Sequence, residues 1–160
     1  MKKVLLFIFT HLVAFAHPHY FLDTALEIKE NVIKNHWKFD RLNSKILMFD
    51  YDKNKNKILD LNEKKEFLLA NFYKLEDNNF NIFLANENEE IKVKPKNVDL
   101  IIDKKRLVIV FDIPYNLANE NTFCTMDEKI YLAYKLEKLI TNYDKEVQKS
   151  EYDFCIGVFK

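Results

Sequence analysis

Three histidines gather near the start of this chain, after an apolar leader: His17, His19 and His36. Alternate residues of an extended strand point the same way, so His17 and His19 stand about 6.6 Å apart along the backbone. Two imidazoles at that spacing can chelate one transition metal ion, and imidazole-rich sites suit zinc, nickel and copper. Asp23 or His36 is expected to complete the shell, or Asp23 to orient His36 from behind. Pro18 has no amide proton, which excludes the copper and nickel motif that deprotonates a second-residue amide. The competing reading is that His17 and His19 are polar residues on a frayed terminus.

A second constellation runs from Asp52 to Glu63, DKNKNKILDLNE. A calcium loop of the EF-hand type takes oxygen ligands at its first, third, fifth, ninth and twelfth positions, and a backbone carbonyl at the seventh. Those places hold Asp52, Asn54, Asn56, Asp60 and Glu63, with Ile58 supplying the carbonyl. Lys57 stands where the pattern wants glycine for a sharp turn, and Lys53, Lys55, Lys64 and Lys65 crowd the loop. Those charges weaken affinity towards the roughly millimolar range of extracellular modules. The competing reading is a helix–loop–helix turn held by Asx hydrogen bonds with no ion.

No G-x-S-x-G, H-E-x-x-H or P-loop motif occurs, and no serine–histidine pairing suggests itself, so an enzyme is not expected. A copper enzyme using an N-terminal histidine is a third, weaker reading.

What precedes the histidines gives them their setting. Lys2 and Lys3 form a positive start, Val4 to Phe15 is apolar apart from Thr10 and His11, and Ala14-Phe15-Ala16 is a small-x-small cleavage site. This is a secretory signal peptide over residues 1–16, too short and wrongly flanked for an ordinary membrane span. An uncleaved N-terminal anchor is the alternative. Cleavage after Ala16 makes His17 the new terminus and adds its amine to the two imidazoles. Of 160 residues, 144 remain after those sixteen, as a single periplasmic domain over residues 17–160. Without Lys2 and Lys3 it carries 23 basic groups against 25 acidic ones, a formal −2. No basic stripe suggests nucleic acid, and nothing after the leader forms a stable membrane anchor. Cys124 and Cys155 are the only cysteines. An oxidising compartment favours a disulfide between them, tying the last strand to an earlier one, over two separate buried thiols.

The elements that position these residues follow from periodicity. In residues 19–29, Tyr20, Leu22, Thr24, Leu26 and Ile28 share one face, and His19, Phe21, Asp23, Ala25 and Glu27 the other. A turn at Glu30-Asn31 returns the chain as a second strand. Pairing around it sets Ile33, Asn35, Trp37 and Phe39 on the apolar face and His36 opposite Ala25. That register holds His36 about 20 Å from His19, so one metal takes all three histidines only if the hairpin bends. A short helix follows, with Leu42, Ile46 and Phe49 on one stripe, then the Asp52 loop and an amphipathic helix carrying Phe67, Leu68, Phe72 and Leu75. Strands are expected near 81–85, 90–94, 98–103, 106–112, 121–125, 129–136 and 152–159, with 137–150 open between helix and loop. The class is α+β: a mostly antiparallel β-sheet with a helix–loop–helix, EF-hand-like, inserted after the first hairpin.

These residues together resemble an uncharacterised bacterial family of exported proteins, catalogued as a domain of unknown function. Its members are described as periplasmic components of ABC-type or nickel, cobalt and zinc transport systems. The resemblance rests on His17-Pro18-His19 with Asp23, on the W-x-F-D element at Trp37, Phe39 and Asp40 preceded by His36, on Asp52, Asn54 and Asn56, and on Asp127 with Tyr131. The hairpin is shorter than the family's, and Lys57 replaces the loop glycine. The resemblance implies a periplasmic accessory protein that binds zinc or nickel and serves an inner-membrane metal transporter. The alternative is a calcium-responsive structural or interaction module built on the Asp52 loop.

Overall fold

The computed structural model describes residues 19–129 and 131–160. The expected signal peptide over residues 1–16, its expected cleavage site and His17 lie outside the described residues. Two long alternating segments open the fold as β1 (Tyr20–Lys29) and β2 (Val32–Phe39). They pair antiparallel from Leu22 opposite Phe39 to Lys29 opposite Val32, the register expected from their alternation. The apolar face is buried at Leu22, Leu26, Ile28, Ile33, Trp37 and Phe39. A slip of one residue would turn all of them to water, and this fixes the register.

Asp40 ends β2 and caps α1 (Arg41–Tyr51), accepting from the Asn43 amide at 2.9 Å. Asp60 caps α2 (Leu61–Asn71), and Glu63 reaches back to the Asp60 amide, a reciprocal capping box. A 3-10 segment follows over Tyr73–Asn81. Asn79, Phe80 and Asn81 all have positive φ there, and turn the chain into β3 (Ile82–Asn86). The rest is β4 (Lys96–Asp103), β5 (Arg106–Pro114), β6 (Glu120–Thr125), β7 (Leu132–Ile140), β8 (Asp144–Lys149) and β9 (Phe154–Phe159).

The strands form two sheets, ordered β4-β5-β2-β1-β7 and β3-β6-β9-β8. Every pairing is antiparallel except that of β1 with β7. Both sheets feed one hydrophobic cluster. At its centre the Trp37 ring lies 4.9 Å from Phe111, 5.1 Å from Tyr134 and 5.7 Å from Phe72. The Tyr134 hydroxyl takes a hydrogen bond from Asn81 at 3.0 Å. Burial holds its proton far above the ordinary tyrosine range. The class is α+β, mostly antiparallel, with the helix pair inserted after the first hairpin. Cys124 of β6 and Cys155 of β9 stand directly opposite each other and form the disulfide. It closes a loop of sequence separation 31, which limits unfolded-chain entropy by about 3–4 kcal/mol.

Three local expectations change. Residues 90–94 make only an isolated bridge, Ala85 with Glu90. Pro95 interrupts the run, and the Val93 amide is taken by the Asn79 side chain at 2.7 Å instead of a strand. Residues 137–150 are neither helix nor one loop: β7 runs on to Ile140, and β8 begins at Asp144 in the other sheet. The α1 stripe faces outward. Leu42, Ile46 and Phe49 are 67%, 48% and 81% exposed, while Ser44 and Leu47 are buried. The Ser44 hydroxyl donates to the Phe39 carbonyl and accepts from the Leu107 amide, so hydrogen bonding sets the helix's rotation against its apolar periodicity.

Candidate functional site

On the polar face of the first hairpin, Asp23 meets a partner from two strands away. Arg106 opens β5, and its guanidinium crosses β2 to reach the Asp23 carboxylate at 2.7 Å. It also donates to the carbonyls of Phe39 at 2.5 Å and Lys38 at 3.1 Å. The two side chains are 18% and 30% exposed. A carboxylate already neutralised by a fixed guanidinium is a poor metal ligand, because a cation would have to compete with the arginine. His36 is exposed opposite Ala25 and Val110. Ala25 lies six positions along the chain from His19, about 20 Å of extended strand. The structure therefore does not bring His19 and His36 together.

His19 precedes β1 and is exposed. Its amide donates to the Tyr131 carbonyl at 2.9 Å, and its carbonyl accepts from the Asn43 side chain at 3.1 Å. Its imidazole packs on the Tyr131 ring with centroids 4.7 Å apart. This placement comes from the parallel β1–β7 pairing, which sets Tyr20 opposite Leu132. Tyr131 also lines a cleft of about 530 Å³ whose walls mix Asp77, Asp127 and Glu128 with Lys74 and Lys129, and the Lys74 ammonium lies over the Tyr131 ring at 5.5 Å. Asp127 is held by the amides of Lys129 at 3.0 Å and Leu132 at 2.9 Å. Among the described residues no three histidine, cysteine or acidic side chains cluster closely enough to form a metal site. His17 lies outside the described residues.

The loop between α1 and α2 is ordered by its own side chains. Asp52 accepts from the amides of Asn56 at 3.1 Å and Lys57 at 2.8 Å. Asn54 accepts from Asn56, and Asn56 from Ile58. Asp60 accepts from Asn62 and Glu63. Glu63 takes the Lys53 amide at 2.9 Å on one oxygen and the Asp60 amide at 2.9 Å on the other. Asp52 and Glu63 are 8% and 5% exposed. Neither forms an ion pair among the described residues, for the Lys53 ammonium turns to Glu66. Two buried carboxylates thus share one loop with only amide donors around them, and carboxylate oxygens keep further lone pairs beyond one such bond. Such a donor set is chemically suited to a hard divalent cation. Lys57 takes φ 66°, the left-handed conformation in which the loop pattern prefers glycine.

Neither Arg106 nor Tyr131 was among the candidate site residues that hairpin periodicity singles out. The turn DKKR announces a hairpin, but nothing local says that its last residue reaches β1. The Asp127 and Tyr131 pair is visible only as a fragment of the family pattern.

The chain matches the family model described as protein of unknown function (DUF1007) over residues 3–155, and it belongs to that family. No curated protein and no solved structure matches it.

Proposed function

We propose that this is an exported, periplasmic protein that binds zinc or nickel through His17 and His19 and hands the ion to an inner-membrane metal transport system. One observation carries the reading. The exposed His19 imidazole packs on Tyr131 at the wall of a cleft that also holds Asp77, Asp127 and Glu128. Imidazole nitrogens are donors suited to zinc or nickel, and the carboxylates of the cleft that Tyr131 lines are potential further ligands for an ion held at the terminus. Asp23 and His36 recede from this shell, the first because Arg106 neutralises it, the second because of its distance along the hairpin. The Cys124–Cys155 disulfide is in keeping with export to an oxidising compartment. An exposed chelate at a chain terminus also suits a carrier, since a cargo ion must be released.

The test uses protein recovered from the periplasm of its producing cells. Intact mass fixes the first residue, and calorimetric titration of the same sample follows zinc, nickel and calcium. The expected result is a chain beginning at His17 with one zinc or nickel site, lost in His17→Ala/His19→Ala. A chain beginning elsewhere, or one that binds calcium alone, overturns the proposal.

The burial of Asp52 and Glu63 without a charged partner favours a second reading, a calcium-responsive module. In that case Asp52→Ala removes the calcium-dependent rise in melting temperature, and His17→Ala/His19→Ala leaves it unchanged.

A further inference from the structure

The side of the molecule where α1 meets the β4–β5 turn is basic. A cleft of about 660 Å³ lies there, with Arg41, Lys45, Lys57, Lys104, Lys105 and Arg106 around it and no carboxylate on its walls. Only Arg106 is matched, by Asp23. Asp103, which opens the turn, is claimed by Lys38 at 2.7 Å. The other five bases form no ion pair among the described residues. In a chain with 25 basic and 25 acidic residues, that is a marked local excess.

Backbone conformation adds a second observation. Eight described non-glycine residues have positive φ. Asparagine, the cheapest non-glycine residue there, fills three: Asn79, Asn81 and Asn97. Lysine fills four, Lys55, Lys57, Lys104 and Lys105, and three of those four line this cleft. Asparagine is abundant in the chain, so lysine here bears a steric cost that the turns themselves do not require.

The third observation is the outward stripe of α1. At about 100° per residue, Arg41 and Lys45 lie between the cleft and the stripe of Leu42, Ile46 and Phe49. These three are among the most exposed large apolar side chains of the described residues. An exposed apolar stripe edged on its cleft side by Arg41 and Lys45, with Asp50 and Asn43 on its far side, shares the apolar face and basic flank of a segment lying in a membrane interface.

We propose that this face docks reversibly on an anionic phospholipid surface, with Lys57, Lys104 and Lys105 against headgroup phosphates and Leu42, Ile46 and Phe49 dipping among the acyl chains. The charge complements a lipid phosphate, and the apolar stripe has a use at a bilayer that it lacks against a soluble anion. The inference stands independently of the histidine site. Docking of this kind is reversible attachment by a folded surface, distinct from a membrane anchor.

The mature chain is mixed with vesicles of phosphatidylglycerol and phosphatidylethanolamine, or of phosphatidylcholine alone, and sedimented at low and high salt. The expected result is binding to the anionic vesicles only, weakened by salt. Lys104→Glu/Lys105→Glu weakens it by about tenfold or more, and Leu42→Ser/Phe49→Ser lowers it at unchanged charge. Both variants are surface changes, and their melting temperatures are read alongside. Equal binding to phosphatidylcholine, or no binding to either, overturns the proposal. So does binding to polyglutamate without vesicle binding, which assigns the face to an acidic protein. Saturation by glycerol phosphate in a chain that ignores vesicles overturns it in favour of a soluble anion.

Discussion

The first hairpin and the α1–α2 loop both carry carboxylates in a pattern that reads as a cation site, and the fold treats them oppositely. On the hairpin, Asp23 is met by the guanidinium of Arg106, itself fixed by two backbone carbonyls. In the loop, Asp52 and Glu63 are met by backbone amides alone. An arginine cancels the charge of its partner, whereas an amide leaves the charge in place and orients the carboxylate. Carboxylates with similar sequence signatures therefore differ in what they offer an ion. The source of the neighbour decides: a residue from a distant strand in one case, the loop's own backbone in the other.

Glu63→Ala breaks the loop side of this comparison and has the largest expected effect. It removes the acceptor for the amides of Lys53 and Asp60 and half of the capping box. A loss of about 3 kcal/mol is expected, from unsatisfied donors plus a lost cap. Urea unfolding checks it, with Glu63→Gln, which keeps one acceptor oxygen, expected to lose about 1 kcal/mol. If both variants unfold as the parent does, the carboxylate does not organise the loop.

Arg106→Ala breaks the hairpin side. The variant gives up bonds to Asp23, Phe39 and Lys38 at once, and about 2 kcal/mol is expected. Asp23→Ala leaves the arginine its two carbonyls and should lose about 1 kcal/mol. A double-mutant cycle by urea unfolding should give a coupling of about 1 kcal/mol between the two. Coupling near zero would mean that Asp23 remains free for other partners.

How far each region was legible follows the same line. The hairpin register, the buried face carrying Leu22, Leu26, Trp37 and Phe39, and the α+β class with its inserted helix pair can be read locally, because period-two alternation and loop spacing are short-range signals. The disulfide follows from there being only two cysteines in a chain expected to be exported. Within the loop, Asx and capping hydrogen bonds from Asp52, Asn54, Asn56 and Asp60 follow from residue type and spacing, while no three acidic side chains of the described residues come together there. Arg106 against Asp23, and Tyr131 against His19, depend on β5 beside β2 and on the parallel pairing of β1 with β7, which no local pattern encodes. The α1 stripe misleads for a related reason. Leu42, Ile46 and Phe49 have helical spacing, but Ser44 is anchored to Phe39 and Leu107 and rotates that stripe outward.

Lys57→Gly sharpens the comparison by improving one site at the expense of another surface. With φ at 66°, glycine relieves steric cost and should stabilise the protein by about 0.5–1 kcal/mol, read by urea unfolding. On the calcium reading, removing a positive charge from the loop should also raise its affinity for calcium, followed by titration. The same change withdraws one base from the cleft and should weaken attachment to anionic vesicles. If both proposals hold, this one variant moves calcium affinity and vesicle attachment in opposite directions.

His36→Ala has the smallest expected effect and tests the hairpin reading most directly. The side chain is exposed in the middle of β2, and no hydrogen bond or ion pair to its imidazole occurs among the described residues. An exposed substitution of this kind changes stability by at most about 0.5 kcal/mol. Zinc and nickel titrations should be unaltered as well, since about 20 Å of strand separates it from His19. A lost or weakened zinc site in His36→Ala would require the terminus carrying His17 to fold back along the hairpin. That result would return His36 to the proposed binding shell and shift the proposed site from the Tyr131 cleft to the sheet face.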